Sequence, residues 1–175
     1  DPGPSGAFPM VQEAGDEVRS LLVDNGVEGY PKTTGSGGIH IYVRLLPEWD
    51  AYAVRFAAVA IARELERRRP ELLTAAWWKE ERGERVFIDF NQNARDRTIA
   101  SAYSIRPLPG GPVSTPVDWD ELPGLDPRGF TLHSVPARFA ERGDVHAEID
   151  DVQHSREPLL ELYARDEAAG LGERS

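Results

Sequence analysis

The stretch KTTGSGGIHIYVRL, residues 32–45, decides the fold of this chain. Residues 35–38 at its centre are Gly-Ser-Gly-Gly, and glycine readily adopts the positive φ angles that tight turns require. After the turn, Ile, Ile, Val and Leu alternate with His, Tyr and Arg, which is the two-residue period of a strand with one buried face. Because residues 29–34 have an extended pattern too, we predict a β-hairpin whose second strand carries His40 near its start.

Two long helices are predicted on either side of the hairpin. Apolar side chains recur at helical spacing in residues 8–25, and an Asn-Gly pair marks the end of this helix. The same spacing recurs in residues 51–69, with Asp50 as the N-cap and Pro70 as the stop. Three arginines end this second helix, where the helix dipole favours cations, and we expect them to form a solvated helix end.

Shorter elements are predicted in the rest of the chain. Strands are expected at residues 86–90 and 130–135, and short helices at residues 136–142 and 158–169. The Pro- and Gly-rich residues 107–116 indicate a long connection. Trp77 and Trp78 are more typical of core or edge packing than of a base-stacking platform. Together the elements predict one α/β (α+β) domain over residues 1–175, with a mixed, largely antiparallel sheet flanked by helices.

Composition narrows the class of protein. The 175 residues suffice for one domain with a hydrophobic core, and the absence of cysteine excludes disulfides and thiolate metal sites. The chain has no signal peptide pattern and no apolar run near the ~20 residues that span a bilayer, so we expect a cytoplasmic protein without membrane contact. The formal net charge of −10 argues against coating of nucleic acid by charge alone, although a site needs only a local cluster of cations. Because the chain does not begin with Met, we interpret it as a fragment.

Asp89 is the most informative single residue, because it follows Val-Phe-Ile and precedes Phe90 in a stretch that otherwise predicts a buried strand. A carboxylate among apolar neighbours needs compensation by a divalent metal, an arginine or backbone N–H groups. An aspartate that caps the following loop is the more frequent arrangement for this residue type. Asp1 alone indicates nothing, but the two carboxylates together could bind Mg²⁺ or Mn²⁺.

The glycine-rich turn is a candidate phosphate-binding segment. Thr34 and Ser36 carry hydroxyl donors, and the N–H groups of such turns can form an anion-binding nest. His40 follows the turn and could contact a phosphate or a sugar. A hairpin turn with a surface histidine fits the same residues equally well, and the turn is not a Walker A loop.

Two further segments could contact a nucleotide. Gln92 lies in a dense polar loop directly after Asp89, where amides and arginines could hold phosphates or a sugar. Ser104 and Arg106 alternate and would share one strand face, so that Arg106 could clamp a phosphate. Solvated polar residues would explain both segments as well.

The order of these pieces resembles the archaeo-eukaryotic primase superfamily, and most of all the polymerase domain of bacterial ligase D. The resemblance rests on Asp-Pro-Gly at residue 1, KTTGSGGIH from residue 32, VFIDFNQN from residue 86, Ser-Ile-Arg at residue 104 and PVSTPVDWDEL from residue 112. It covers nearly the whole chain, and the combination in this order is specific. The resemblance implies a sheet of RRM-like character in a primase-polymerase catalytic module that is incomplete at its N-terminus.

The resemblance also assigns roles to individual residues. It implies that Asp1 and Asp89 are catalytic carboxylates that ligate Mn²⁺ or Mg²⁺ in a two-metal site, with one further aspartate of the first motif absent before Asp1. The residues that it places on the nucleotide are Thr34, Ser36, His40, Gln92 and Arg106. Gly37 stands where a lysine is frequent in the family, so one triphosphate contact differs here.

The activity implied by the resemblance is template-directed nucleotide addition in DNA double-strand break repair by non-homologous end joining. The implied partners are a nucleoside triphosphate, a DNA primer-template or DNA end, and a Ku protein and ligase domain, in the cytoplasm at the bacterial nucleoid. Two other functions fit the sequence. The fragment could bind nucleotide or DNA without catalysis, or its acidic surface could dock a repair partner without any enzymatic role.

Overall fold

The computed structural model describes residue 2 and residues 7–48, 50–155 and 157–171, and its architecture is of the mixed α/β class that the sequence predicts. The helices are α1 (Phe8–Asp24), α2 (Ala51–Arg68), α3 (Val135–Arg142) and α4 (Glu157–Ala168), and the strands are β1 (Tyr30–Thr33), β2 (Ile39–Tyr42), β3 (Leu73–Thr74) and β4 (Val86–Phe87). The strands form two two-stranded sheets, and short 3-10 turns fill many of the connections. No helix in the described ranges combines the length and the apolar character that crossing a membrane demands.

The predicted hairpin is confirmed. Strands β1 and β2 pair antiparallel, and their register sets Lys32 opposite His40. Gly35 in the turn has a φ angle of 71°, a left-handed conformation that glycine adopts without a steric penalty. Regular pairing ends at Tyr42, and Leu45 instead forms an isolated bridge with His154. The hairpin therefore holds its turn and His40 in one rigid unit.

Helices α1 and α2 form within one residue of their predicted bounds. The Asp50 side chain accepts a hydrogen bond from the Ala53 N–H at 2.8 Å, which satisfies one of the free donors at the start of α2. Leu21 of α1 and Leu65 of α2 are completely buried, and they share a core cluster with residues of β3 and β4. This apolar contact joins the two helices to the second sheet.

The arginines that end α2 are ion-paired as well as solvent-accessible. Arg69 contacts Glu13 at 2.6 Å and Glu17 at 2.7 Å, both on α1, while Arg68 contacts Asp24 at 2.9 Å. The expectation of a merely solvated helix end is therefore wrong. These cations tie α2 to α1 and do not contribute to the candidate site.

Three other local predictions differ from the structure. Sheet pairing between β3 and β4 is parallel, and β4 includes only the first two residues of the predicted strand 86–90. Residues 130–135 are not a strand: Thr131 forms one bridge with Pro112, and the Ser134 hydroxyl then donates to the Gly129 carbonyl and closes a turn. The tryptophans predicted to pack are instead exposed, with Trp77 at 47% and Trp78 at 63%.

Residues 113–117, predicted to lie in a connection or a loop, are buried beside β1. The Thr33 N–H donates to the Thr115 carbonyl at 2.9 Å, and the Val117 N–H donates to the Pro31 carbonyl at 3.1 Å. On its other side the segment meets residues 104–106, since the Ser114 N–H donates to the Ser104 carbonyl at 2.9 Å. The hairpin and the segment that carries Arg106 are thus held together through residues 113–117.

Candidate functional site

Thr34 organises the glycine-rich turn from within. Its Oγ1 accepts hydrogen bonds from the N–H groups of Ser36 and Gly38, both at 3.2 Å, and lies 2.8 Å from the Ser36 Oγ. Thr34 is buried, whereas Ser36 is exposed. The turn consequently presents the Ser36 hydroxyl to solvent, while the Thr34 hydroxyl fixes the shape of the loop.

His40 is the polar residue of β2 next to the turn, and it is half-buried. Its Nδ1 has no hydrogen-bond partner in the described part of the chain, and its ring lies parallel to that of Tyr42 at 6.4 Å. Burial, followed by the positive charge of Lys32, lowers the pKa of His40 to about 4. The imidazole is therefore neutral at pH 7, and its Nδ1 is a buried nitrogen that the described residues leave without a partner.

Lys32 is the main residue that sequence reasoning missed. Its side chain is fully buried, its ammonium donates to the Ser114 hydroxyl, and Nζ lies 5.4 Å from the centre of the Tyr42 ring. Burial, followed by the charge of Arg106, lowers the pKa of Lys32 to about 8. The available signal was a lysine in the strand predicted to pair with the strand of His40. Only the register of the hairpin shows that Lys32 and His40 lie directly opposite each other.

The aliphatic part of the Arg106 side chain packs against the glycine-rich turn. A Cβ atom added to Gly35 would stand 2.5 Å from the Arg106 Cγ, so the arginine can pack there only because residue 35 has no side chain. The Arg106 N–H donates to the Pro112 carbonyl at 2.8 Å, which fixes the backbone of the arginine. Arg106 thus packs against the candidate phosphate-binding turn, and its predicted contact with a phosphate stays a prediction.

Asp89 follows β4 and caps the loop after it. Its Oδ1 accepts the Asn91 N–H at 2.9 Å, and its Oδ2 lies 3.5 Å from the Gln92 Nε2. The capping role that the sequence left open is therefore present, and it leaves Oδ2 with only a weak contact. Asp89, Gln92 and His40 line one cavity of about 420 Å³, whose remaining wall is mainly apolar.

The predicted metal site can be examined only in part. Asp1 lies outside the described residues, and within the described ranges no three His, Asp or Glu side chains come close enough to form a metal cage. Asp89 offers a hard carboxylate oxygen of the kind that Mg²⁺ and Mn²⁺ prefer. The chemistry of this donor fits such an ion, while the rest of the predicted donor set stays a prediction.

Comparison with known proteins confirms the predicted resemblance. The model of the LigD primase-polymerase domain matches residues 1–146. The chain is 35% identical over 150 residues to the multifunctional non-homologous end joining protein LigD of Mycolicibacterium smegmatis, covering 86% of this chain and 20% of that protein. It is 33% identical over 145 residues to the bifunctional LigD of Bacillus subtilis, covering 82% of this chain and 24% of that protein. The chain thus spans about a quarter or less of these curated relatives.

A solved structure has the same fold. The polymerase domain of Mycobacterium tuberculosis ligase D, in complex with DNA, superposes with a TM-score of 0.80 at 31% sequence identity. The superposition covers 88% of this chain and 54% of the other. The similarity therefore extends beyond short motifs to the fold of most of this chain.

Proposed function

The chain belongs to the LigD primase-polymerase family, and from this premise we propose that it takes part in template-directed nucleotidyl transfer during DNA double-strand break repair by non-homologous end joining. One observation carries the proposal for this chain: the glycine turn, His40 and Arg106 form one unit, and His40 and Asp89 line the same cavity. We place this activity in the cytoplasm, at the bacterial nucleoid, with a nucleoside triphosphate and a DNA primer-template or DNA end as substrates.

The residues of the hairpin would bind the triphosphate. Ser36 supplies an exposed hydroxyl donor at the turn. The neutral His40 imidazole can donate a hydrogen bond to a phosphate or sugar oxygen without adding a charge, and Arg106 supplies positive charge close to the turn. Gln92, which lines the same cavity as His40, would contact the nucleotide next to Asp89, which its amide already approaches.

Asp1 and Asp89 would hold the divalent metal ions, Mn²⁺ or Mg²⁺. Such ions, when bound, activate a primer 3′-hydroxyl and stabilise the pyrophosphate that leaves. The Asp89 carboxylate is kept in place by the Asn91 N–H, so its remaining oxygen is oriented in advance. A site stabilises the charge that develops during a reaction best when its polar groups are oriented in advance.

DNA and protein partners are proposed from the relatives. A chain of net charge −10 attracts a duplex weakly, so we expect the grip on DNA to come from local cations and from other parts of the polymerase domain. A Ku protein and a ligase domain are the partners we propose for the complete protein, since the relatives are named for non-homologous end joining.

Binding without catalysis is the second candidate function. It is favoured by the observation that the Asp89 carboxylate already has a structural role, because its Oδ1 accepts the Asn91 N–H and caps the following loop. In that case the chain would bind a nucleotide in the presence of Mn²⁺ but would not extend a primer.

Calorimetry with Mn²⁺ and UTP tests the site directly. We expect binding by the unaltered chain, and a loss of about tenfold or more in affinity for Asp89→Ala and for His40→Ala, because each removes a group that lines the cavity. Asp120→Ala is the matched control, since this aspartate is 95% exposed. Unchanged affinity in both site variants would refute the assignment, and extension of a gapped primer-template would separate catalysis from binding.

A further inference from the structure

Lys32 is a buried cation directly beneath the glycine-rich turn. It is completely inaccessible to solvent, and its ammonium contacts the Ser114 hydroxyl and, at 3.4 Å, the Thr33 carbonyl. The Tyr42 ring lies on a further side. All of these partners are neutral, and among the described residues no carboxylate forms an ion pair with Lys32. The hairpin thus encloses a positive charge that no carboxylate of the described residues pairs with.

Other charged groups around the turn increase this effect. Arg106 packs against Gly35, and its charge acts on Lys32. The charge of Lys32 also acts on His40, directly across the hairpin. A buried charge is screened far less by water and salt than a surface charge. The described residues therefore place two cations, Lys32 and Arg106, near the turn even though the chain as a whole is acidic.

A nucleophilic role for the Lys32–Ser114 pair does not fit the structure. Ser114 is fully buried, and its hydroxyl donates to the Thr33 carbonyl at 2.7 Å. No substrate atom could approach this oxygen without opening the contact between β1 and residues 113–117. The contact instead anchors the lysine, and through it the first strand of the hairpin.

We propose that Lys32 is a positioning residue, whose ammonium anchors the hairpin on Ser114 and gives the turn the positive potential that selects ligands with several phosphate charges. The inference rests on the proposed function, because it names Lys32 as a source of positive charge for the proposed triphosphate site. The turn itself contains no cation, and Lys32 supplies one from the interior instead.

Ligands of different charge test this role. Affinities for UTP, UDP and UMP, each with Mn²⁺, would be measured by calorimetry for the unaltered chain and for Lys32→Met, which keeps the length of the side chain without its charge. We expect Lys32→Met to lose about tenfold in affinity for UTP, less for UDP and least for UMP, because the Coulomb attraction scales with ligand charge. Lys32→Arg, which keeps the charge, is expected to recover part of the preference for UTP.

Two controls separate charge from folding. Arg128→Met removes one cation from an exposed position and is expected to leave all three affinities unchanged. If circular dichroism shows that Lys32→Met is unfolded, Lys32→Gln, which can still bond the Ser114 hydroxyl, carries the same expectation. An equal loss for the three ligands would indicate a structural role alone, and that result, or no loss at all, would overturn the proposal.

A readout without nucleotide distinguishes this inference from the proposed function. The ring nitrogen resonances of His40 in the ligand-free chain should shift in Lys32→Met and stay in place in Arg128→Met, since Lys32 acts on the imidazole through its charge. If the unaltered chain binds no UTP, the proposed function fails. If the His40 resonances do not move in Lys32→Met, the role of Lys32 fails, whatever the unaltered chain binds.

Discussion

Lys32 in the hairpin and Asp166 in α4 are both almost fully buried charges, at 0% and 1% exposure, but the protein compensates them in opposite ways. Asp166 contacts Arg67 of α2 at 3.0 Å and Arg63 at 4.0 Å. Lys32 has a hydroxyl, a carbonyl and an aromatic ring around it. Asp166 is compensated by opposite charges between α2 and α4, whereas Lys32 is surrounded by neutral groups beside the candidate site.

The difference shows that the buried charge that lowers the stability of the fold lies beside the candidate site. A neutral shell compensates the dehydration of an ammonium only in part, so Lys32 as a cation destabilises the folded state. Asp166 is compensated more fully, because Arg67 and Arg63 attract it across the α2–α4 contact. A destabilising charge beside a cavity is what a binding site for an anionic ligand would contain, and the predictions below test that contrast.

The largest expected effect is the dependence of stability on pH that Lys32 confers. Its pKa is lowered from 10.5 to about 8, so between these pH values the unfolded chain binds more protons than the folded one, and the free energy of unfolding rises with pH. Relative to Lys32→Met, we expect the unaltered chain to gain roughly 3 kcal/mol or less from pH 8 to pH 10.5. Urea unfolding at several pH values measures this difference.

The control for this measurement is Lys79→Met, which removes the charge of an exposed lysine. The unaltered chain and Lys79→Met should show parallel curves. A difference between the unaltered chain and Lys32→Met that stays constant from pH 8 to pH 10.5, or that falls with pH, would show that Lys32 titrates normally and would remove the basis of the comparison.

Asp166→Asn should have the next largest effect. At neutral pH it should lower the free energy of unfolding, whereas Lys32→Met should raise it by removing a destabilising charge. The substitution leaves Arg67 and Arg63 without their buried partner, and breaking a buried pair destabilises strongly. Because the two arginine side chains are 39% and 25% exposed, water screens part of the loss, and we expect about 2 kcal/mol. Thermal unfolding measures it, with Asp120→Asn as an exposed control. If Asp166→Asn and Asp120→Asn are equally stable, the contacts of Asp166 with the two arginines contribute no more to stability than an exposed ion pair does.

Local sequence signals were sufficient for the elements that are fixed by their own residues. Asp50 and Pro70 delimit α2, the glycines define the turn, and the alternation after residue 38 defines β2. The family was predictable for a different reason, because several short motifs occur together in one order. These signals gave the fold class and most helix bounds, while the roles of the named site residues are still predictions.

What sequence reasoning missed depends on contacts between distant residues. Thr33 and Thr115 are far apart in the chain, and hydrogen bonds such as the one between them make residues 113–117 a buried neighbour of β1. The burial of Lys32 follows from that pairing. Residues 130–135 alternate like a strand, but hydroxyl groups of Thr131 and Ser134 satisfy the backbone locally and close a turn instead.

The smallest expected effect is the difference between Gly35→Ala and Gly110→Ala, which sharpens the contrast at the turn. Both glycines have positive φ angles, 71° and 87°, so an alanine strains the backbone at either position. At Gly110 the new Cβ meets no described atom within 4 Å, whereas at Gly35 it stands 2.5 Å from the Arg106 Cγ. The stability difference between the two variants therefore separates the contacts that a side chain makes at residue 35, of which the Arg106 stem is the nearest, from the backbone strain.

We expect Gly35→Ala to be less stable than Gly110→Ala by about 1 kcal/mol, because the flexible arginine stem can move aside at a modest cost. That movement would take the guanidinium from the turn, so the affinity for UTP should fall in Gly35→Ala and stay unchanged in Gly110→Ala. Thermal unfolding and calorimetry on both variants measure the two effects. If Gly35→Ala loses stability but binds UTP normally, then Arg106 only packs the turn, and the positive potential at the hairpin comes from Lys32 without its help.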